Sequence, residues 1–298
     1  MNQPSSPVLI AELLAALRRH APRRGEAALD FALQEALARP GRLARGQLSV
    51  RTALAVGLDR ETAVEFGCAL EFWHLASLLL DDLPCMDDAE RRRGAPCLHR
   101  THGESTALLA ALALINRAYQ LAHGALAAQP LPVRRNALTL LDRVLGPDGL
   151  LGGQSLDLQH VPALATSRDP GRIAWRKTGV LLWLAMGLPA ATGATPGELQ
   201  RLRHLAVYWG LAYQLIDDLT DLAPAGDPGK DHGQDSRHRR PNAVTAMGRP
   251  AARTRLARLL LLAEIQLAGL RHRHPRWAYL YDWQLRIFAA AGEIRRAA

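Results

Sequence analysis

Apolar residues recur with helical period along nearly the whole chain, and no stretch alternates with period two for long enough to read as a strand. Helices are expected at Val8–Arg19, Glu26–Ala38, Glu61–Leu80, Thr106–Ala128, Val133–Leu145, Ile173–Leu188, Pro196–Leu222, Arg253–Arg271 and Trp277–Arg295. Such a chain must pack helix on helix, so the expected fold is all-α, in a single domain spanning residues 1–298. Its 48 % apolar content is enough for a large core. Glycine and proline cluster instead of recurring at turn spacing, and the segment Ala223–Pro250 is expected to be a mobile loop.

Two of the apolar runs end in acid. ALEFWHLASLLL leads into DDLPCMDDAERRRG, with Asp81, Asp82 and Asp87; a second run leads into DDLTD, with Asp217, Asp218 and Asp221. Pro84 biases Leu83 away from helical geometry, so Asp81 and Asp82 fall at a helix C-terminus, where the macrodipole is already negative. Asp217 and Asp221 share one helix face at i, i+4 and repel each other. Both arrangements call for a cation. Oxygen-only clusters suit hard Mg²⁺, which binds through a few carboxylates and completes its shell with water and substrate phosphate.

The acids sit in a basic chain of formal net charge +9, which points to an anionic partner or to a solvated arginine-rich surface. Aromatics make up only 5 %, and no basic stripe interleaves with them, so nucleic-acid binding is not expected. The cysteines, Cys68, Cys85 and Cys97, have neither metal-site spacing nor an even count and suit a reducing cytoplasm. The first residues lack a basic region ahead of their apolar stretch, and the run Ala107 to Ile115 is too short to span a bilayer. A cytoplasmic protein without a membrane span is expected.

Basic residues near the clusters are candidate phosphate grips. Gly41-Arg42-Leu43-Ala44-Arg45-Gly46 reads as a glycine-flanked loop; Arg91, Arg92 and Arg93 follow the first cluster; Arg176-Lys177-Thr178 and Gly229-Lys230 lie further on. Guanidinium forks match phosphate oxygens. His74 stands two turns before Asp81 on the same helix face, and Gln214 extends the polar stripe ahead of Asp217. No P-loop or dinucleotide fingerprint is present, and no nucleophilic triad stands out.

In order, GRLARG, HLASLLLDDLPCMD with RRG, GGQSLDL, KTG, YQLIDDLTD and GKDHGQD make the chain resemble the trans-isoprenyl diphosphate synthases, the polyprenyl synthetase family, from about Gly41 to Arg240. The resemblance implies an isoprenoid synthase-type helical bundle around a central cavity, usually a homodimer, with the acidic clusters facing each other across its mouth. It implies a condensation of isopentenyl diphosphate with an allylic diphosphate (dimethylallyl, geranyl or farnesyl) and about three Mg²⁺ ions. Asp81, Asp87 and Asp217, with Asp82, Asp218 and Asp221 as direct or supporting ligands, would hold the metal. Arg92, Lys177 and Lys230 would grip the allylic diphosphate. Gly41, Arg42, Arg45, His74, Arg93 and Arg240 belong to the substrate-binding set, with Arg42, Arg45, His74 and Arg93 on isopentenyl diphosphate. Thr178 and Gln214 would face the developing carbocation, with Tyr213 nearby.

Some positions depart from the family pattern. Arg42 and Arg240 stand where lysine is usual, Gln234 replaces another lysine, Leu112 an acid and His102 an aromatic. No metal ligand is lost. The fifth residue before the first aspartate often floors the product pocket in this family; here it is Ala76, followed by Ser77, and a small residue there implies geranylgeranyl diphosphate as main product. Farnesyl diphosphate synthesis, and a catalytically weak regulatory subunit that binds prenyl diphosphate, are the alternatives.

Overall fold

The computed structural model describes residues 6–22, 25–158, 169–221 and 243–288. They fall into two compact units, one running to Gln129 and another beginning at Pro130. Both are helical.

The first unit contains α1 (Ser6–His20), α2 (Ala27–Ala38), α3 (Ala44–Ala55), α4 (Arg60–Asp81), α5 (Leu98–His102) and α6 (Glu104–Ala125). Helix α4 is its axis. Asp59 caps it, accepting from the Thr62 N–H at 2.9 Å and from the Thr62 hydroxyl at 2.6 Å. Phe66, Leu70, Phe72 and Ala76 are wholly buried along it, where α3 and α6 pack on its sides. Although no apolar run was expected to span a bilayer, α4 is long and apolar enough to do so by composition. Yet most of it is buried inside the protein, as in a core helix.

Helix α3 corrects the expectation of a loop at Gly41–Gly46. Ala44, Arg45 and Gly46 form its first turn. Gly46 is there for close approach, not for a turn: a Cβ would lie 2.7 Å from Glu71 Cγ and 3.1 Å from the Gly67 carbonyl oxygen. The N-cap, Leu43, is left-handed (φ 50°) and offers no side-chain acceptor. Helix α4 supplies one, since Glu71 Oε1 accepts from the Gly46 N–H at 2.6 Å.

A second correction follows α4. Arg91–Arg92 (β1) and Ala95–Pro96 (β2) pair antiparallel, with Arg93 and Gly94 both at positive φ in the two-residue turn. Two strand residues are too few to give a periodic signal, yet the turn matches the right-handed twist of a hairpin.

The second unit contains α7 (Leu131–Leu145), α8 (Leu150–Leu158), α9 (Asp169–Ala174), α10 (Val180–Ala190), α11 (Pro196–Asp221), α12 (Ala243–Met247), α13 (Arg249–Arg273) and α14 (Tyr279–Ile287). Helix α10 is buried on every side and α11 packs against it and against α13. The helix expected over Ile173–Leu188 is interrupted by a π-helical turn, Trp175–Gly179. This turn meets α11 with almost no gap: a Cβ on Gly210 would lie 2.4 Å from Gly179 Cα. Trp209 Nε1 donates to Gln284 Oε1 at 2.7 Å and stacks on Trp283, which ties α14 to α11. Helices α12 and α13 occupy the end of the expected mobile loop, a further correction; residues 222–242 lie outside the described set. Among the described residues, Ala243–Met247 are ordered by Asp218, whose Oδ2 accepts from the Ala243 N–H at 2.8 Å.

Candidate active site

At the end of α4 the chain folds back sharply. The Leu83 carbonyl accepts from the N–H groups of Met86 (2.9 Å) and Asp88 (3.1 Å), and the Asp87 N–H donates to the Asp81 carbonyl at 2.9 Å. Asp81 and Asp87, six apart in sequence, become backbone neighbours. Asp87 is buried and Asp81 half-buried.

Asp82 turns the other way. It is 2 % exposed, and Arg92 Nε donates to its two oxygens at 2.7 and 2.9 Å while Nη2 approaches Oδ1 at 2.6 Å. Hairpin residue and helix end are thus clamped together by a charge-assisted fork. The neighbouring Arg93 donates from Nη1 to the Arg39 carbonyl at 2.5 Å, and its guanidinium lies over Gly41. Gly41 has φ 74°, a backbone conformation that favours glycine, and a Cβ there would lie 2.5 Å from Arg93 Cζ and displace the guanidinium.

The arginine–histidine group expected from sequence assembles beside this clamp. Arg45 Nη1 lies 3.1 Å from His74 Nε2. A guanidinium can only donate, so Nε2 accepts and the ring proton resides on Nδ1, which is buried and has no hydrogen-bond partner among the described residues. Burial first, then the positive fields of Arg45, Arg93 and Arg92, hold the His74 pKa well below the usual imidazole range. His74 is a neutral donor at physiological pH. A small cavity is lined by Glu71, Phe72, His74, Leu78 and Arg93; a second, open to solvent, is lined by Leu79, Asp82, Arg92, Arg93 and Leu98. Arg42 is exposed, and its carbonyl accepts from Gln47 Nε2 at 2.9 Å. Ala76 is wholly buried, and the half-buried Ser77 donates its hydroxyl proton to the His74 carbonyl at 2.8 Å.

In the second unit the π-helical turn carries Lys177 and Thr178 out of the regular register. Such turns recur at functional sites. Lys177 Nζ meets Asp157 Oδ2 at 2.8 Å, and Thr178 Oγ1 lies 3.4 Å from Gln214 Oε1. Gln214 Nε2 in turn donates to Asp218 Oδ1 at 2.9 Å. Asp218, 2 % exposed, therefore uses one oxygen on Gln214 and the other on Ala243. Asp217, one residue earlier, is half-buried, and Tyr213 is 44 % exposed. Lys230, Arg240 and the Asp221 side chain lie outside the described residues.

Sequence reasoning assigned no role to Asp157, although it stands in GGQSLDL, one of the ordered motifs. Its signal was an acid inside an apolar helical segment. Glu71 gave the same signal on α4 and was likewise passed over.

The sequence profile of the polyprenyl synthetases matches residues 26–263. A geranylgeranyl diphosphate synthase of Pantoea ananas is 32 % identical over 288 residues, covering 95 % of this chain and 94 % of the relative. A farnesyl diphosphate synthase of Geobacillus stearothermophilus is 32 % identical over 246 residues, covering 81 % and 83 %. In structure, a geranyltransferase of Helicobacter pylori, complexed with magnesium and isoprenyl diphosphate, aligns with TM-score 0.81 at 21 % identity, over 97 % of this chain and all of the other. The chain belongs to the polyprenyl synthetase family. It is an enzyme of the short-chain trans-prenyltransferase class, on the all-α fold of those synthases.

Proposed function

We propose that this enzyme condenses isopentenyl diphosphate with dimethylallyl, geranyl or farnesyl diphosphate, with geranylgeranyl diphosphate as its main product. The observation that carries the reading is the pairing, within the first unit, of two distinct groups beside α4. Carboxylates cluster at its end around Asp81 and Asp87, while Arg45, His74 and Arg93 gather beside its middle. One group suits a metal-bound diphosphate and the other a bare diphosphate, as a two-substrate condensation requires.

Mg²⁺ fits the residues present. The donors are hard carboxylate oxygens at Asp81, Asp87 and Asp217, and among the described residues no three acidic, histidine or cysteine side chains gather as a closed cage. Mg²⁺ needs no such cage, because substrate phosphate and water complete its shell. Asp82 and Asp218 support this set by holding Arg92 and Gln214, and Asp221 belongs to it by sequence. Held by Asp81, Asp87 and Asp217, Mg²⁺ (about three ions by family resemblance) would supply positive charge to neutralise the leaving diphosphate.

The protein's own groups do the rest. Arg92, Lys177 and Lys230 bind the allylic diphosphate and stabilise its charge as the C–O bond ionises. Arg42, Arg45, His74 and Arg93 hold isopentenyl diphosphate so that its double bond meets the allylic carbon. Thr178 and Gln214 turn oxygen dipoles toward the carbocation, with Tyr213 nearby. The proton lost in the final step passes to the departing diphosphate. No protein nucleophile is needed, and apolar walls exclude water from the cation.

The small Ala76 at the family's pocket-floor position supports the geranylgeranyl product; farnesyl diphosphate is the second reading, favoured by the likeness to the Geobacillus enzyme. We further read the two units as one synthase domain, working as a cytoplasmic homodimer. The exposed apolar side chains of α6, Leu108, Leu109, Leu112 and Tyr119, support a self-association face. Incubation of the purified protein with labelled isopentenyl diphosphate, Mg²⁺ and each allylic primer, followed by product chromatography, tests activity and length together. No incorporation with any primer would leave only the regulatory-subunit reading.

A further inference from the structure

We infer that Glu71 is a positioning residue for the second substrate: from α4 it caps the first turn of α3 and thereby fixes Arg45 for the isopentenyl diphosphate. This rests on the reading of Arg42, Arg45, His74 and Arg93 as that substrate's grip.

The first turn of any helix leaves backbone N–H groups without intrahelical acceptors, and a side chain at the N-cap normally answers one of them. In α3 the N-cap is Leu43, which has no acceptor to offer. Glu71 answers instead, from a neighbouring helix, with its Oε1 2.6 Å from the Gly46 N–H. The contact is built into the packing. Glu71 is 4 % exposed, and Gly46 is the residue that lets α3 approach closely enough.

Arg45 belongs to that same turn, directly before Gly46. Its guanidinium reaches His74, three residues beyond Glu71 on α4. Glu71 and His74 line one cavity together with Arg93. The tether and the grip therefore share both helices. Burial raises the Glu71 pKa, while the Gly46 N–H and the nearby Arg45 and Arg93 pull it down. Either protonation state retains an oxygen able to accept from Gly46, so the tether does not depend on the charge.

Two conservative substitutions separate tether from charge. Glu71→Gln retains an oxygen at the same reach and removes the charge. Glu71→Asp retains the charge and is one methylene too short. Steady-state kinetics on the full chain with Mg²⁺, and calorimetric binding of isopentenyl diphosphate alone, read the outcome. The expected result is a roughly tenfold rise in KM and Kd for isopentenyl diphosphate in Glu71→Asp, the scale of one lost hydrogen bond. Its KM for the allylic diphosphate stays within about twofold and Glu71→Gln stays near wild type. If Glu71→Gln is the damaged variant, charge and not tethering is the role, and the inference fails. If both variants match wild type, or if both substrates are affected alike, it also fails. A wild-type protein that binds no isopentenyl diphosphate overturns the underlying reading instead, so the two failures are distinguishable.

Discussion

Lys177 meets Asp157 at 2.8 Å from inside a π-helical turn, and the carboxylate side of the pair is only 6 % exposed. A regular α-helix through Trp175–Gly179 would rotate Lys177 relative to α8. The extra residue in the turn is what aims the ammonium at this partner.

Asp157→Asn should therefore act through Lys177. The ammonium loses its charged anchor, so kcat/KM for the allylic diphosphate falls roughly tenfold to a hundredfold. KM for isopentenyl diphosphate stays unchanged. Steady-state kinetics with each substrate varied in turn checks this, and an equal rise in both KM values would contradict it.

The Asp82–Arg92 clamp predicts non-additive stability. Asp82 is buried, so Arg92→Leu leaves a carboxylate uncompensated, at about 3 kcal/mol or more. Removing both charges in Asp82→Leu/Arg92→Leu should recover part of that loss. Thermal melts of the two single variants and the double variant form the cycle that measures the coupling. Additive losses would mean the pair contributes little.

Glu198 ties the start of α11 to the Pro275–Trp277 turn. It accepts from Trp277 Nε1 and Arg276 Nη2, both at 2.7 Å, and from the Thr195 N–H at 2.8 Å. Burial pushes its pKa up, but these bonds outweigh burial and hold it at about 2, against an ordinary 4.5. A carboxylate with a depressed folded pKa stabilises above its unfolded pKa, and the contribution is lost as pH falls from about 4.5 toward 2. The shift corresponds to about 3 kcal/mol at neutral pH. Glu198→Gln should lower the neutral-pH Tm and flatten its acid decline; an acid limb as steep as wild type would assign that decline to other groups.

His74 is half-buried, with its pKa depressed, so the unfolded chain takes up this proton first. Stability from this site is complete above the unfolded value of 6.5 and decreases as pH falls below it. His74→Gln, which cannot be protonated, should narrow the Tm gap to wild type below that pH. KM for isopentenyl diphosphate should be flat from about pH 7 to 8 in wild type, since the histidine does not titrate there.

Ala76→Phe should shorten the main product by one or more isoprene units, read by chromatography. Ala76 is wholly buried on α4, so the larger ring also costs about 1–3 kcal/mol in packing. Unchanged product length would place the pocket floor at other residues.

Local chemistry was legible in the sequence because it is carried by short-range pattern. Helical period gave α4, α6 and α11 to within a few residues, and Pro84 marked where α4 stops. The order of the aspartate, arginine and lysine motifs gave the family. What the sequence left open were contacts whose partners lie far apart in the chain. Gly46 looked like a loop residue because its reason is Glu71, on another helix; the hairpin at Arg91–Pro96 was too short for periodicity; and Asp157 had no role until the π-turn brought Lys177 to it. The two aspartate pairs illustrate the division best. Sequence sets Asp81 and Asp217 apart as metal holders but leaves open what Asp82 and Asp218 support. Gln214 reaches Asp218 locally, one turn along α11, but tertiary structure gives Asp82 to Arg92 and Asp218 to Ala243, because consecutive residues on a helix point about 100° apart and only one of each pair can face those partners.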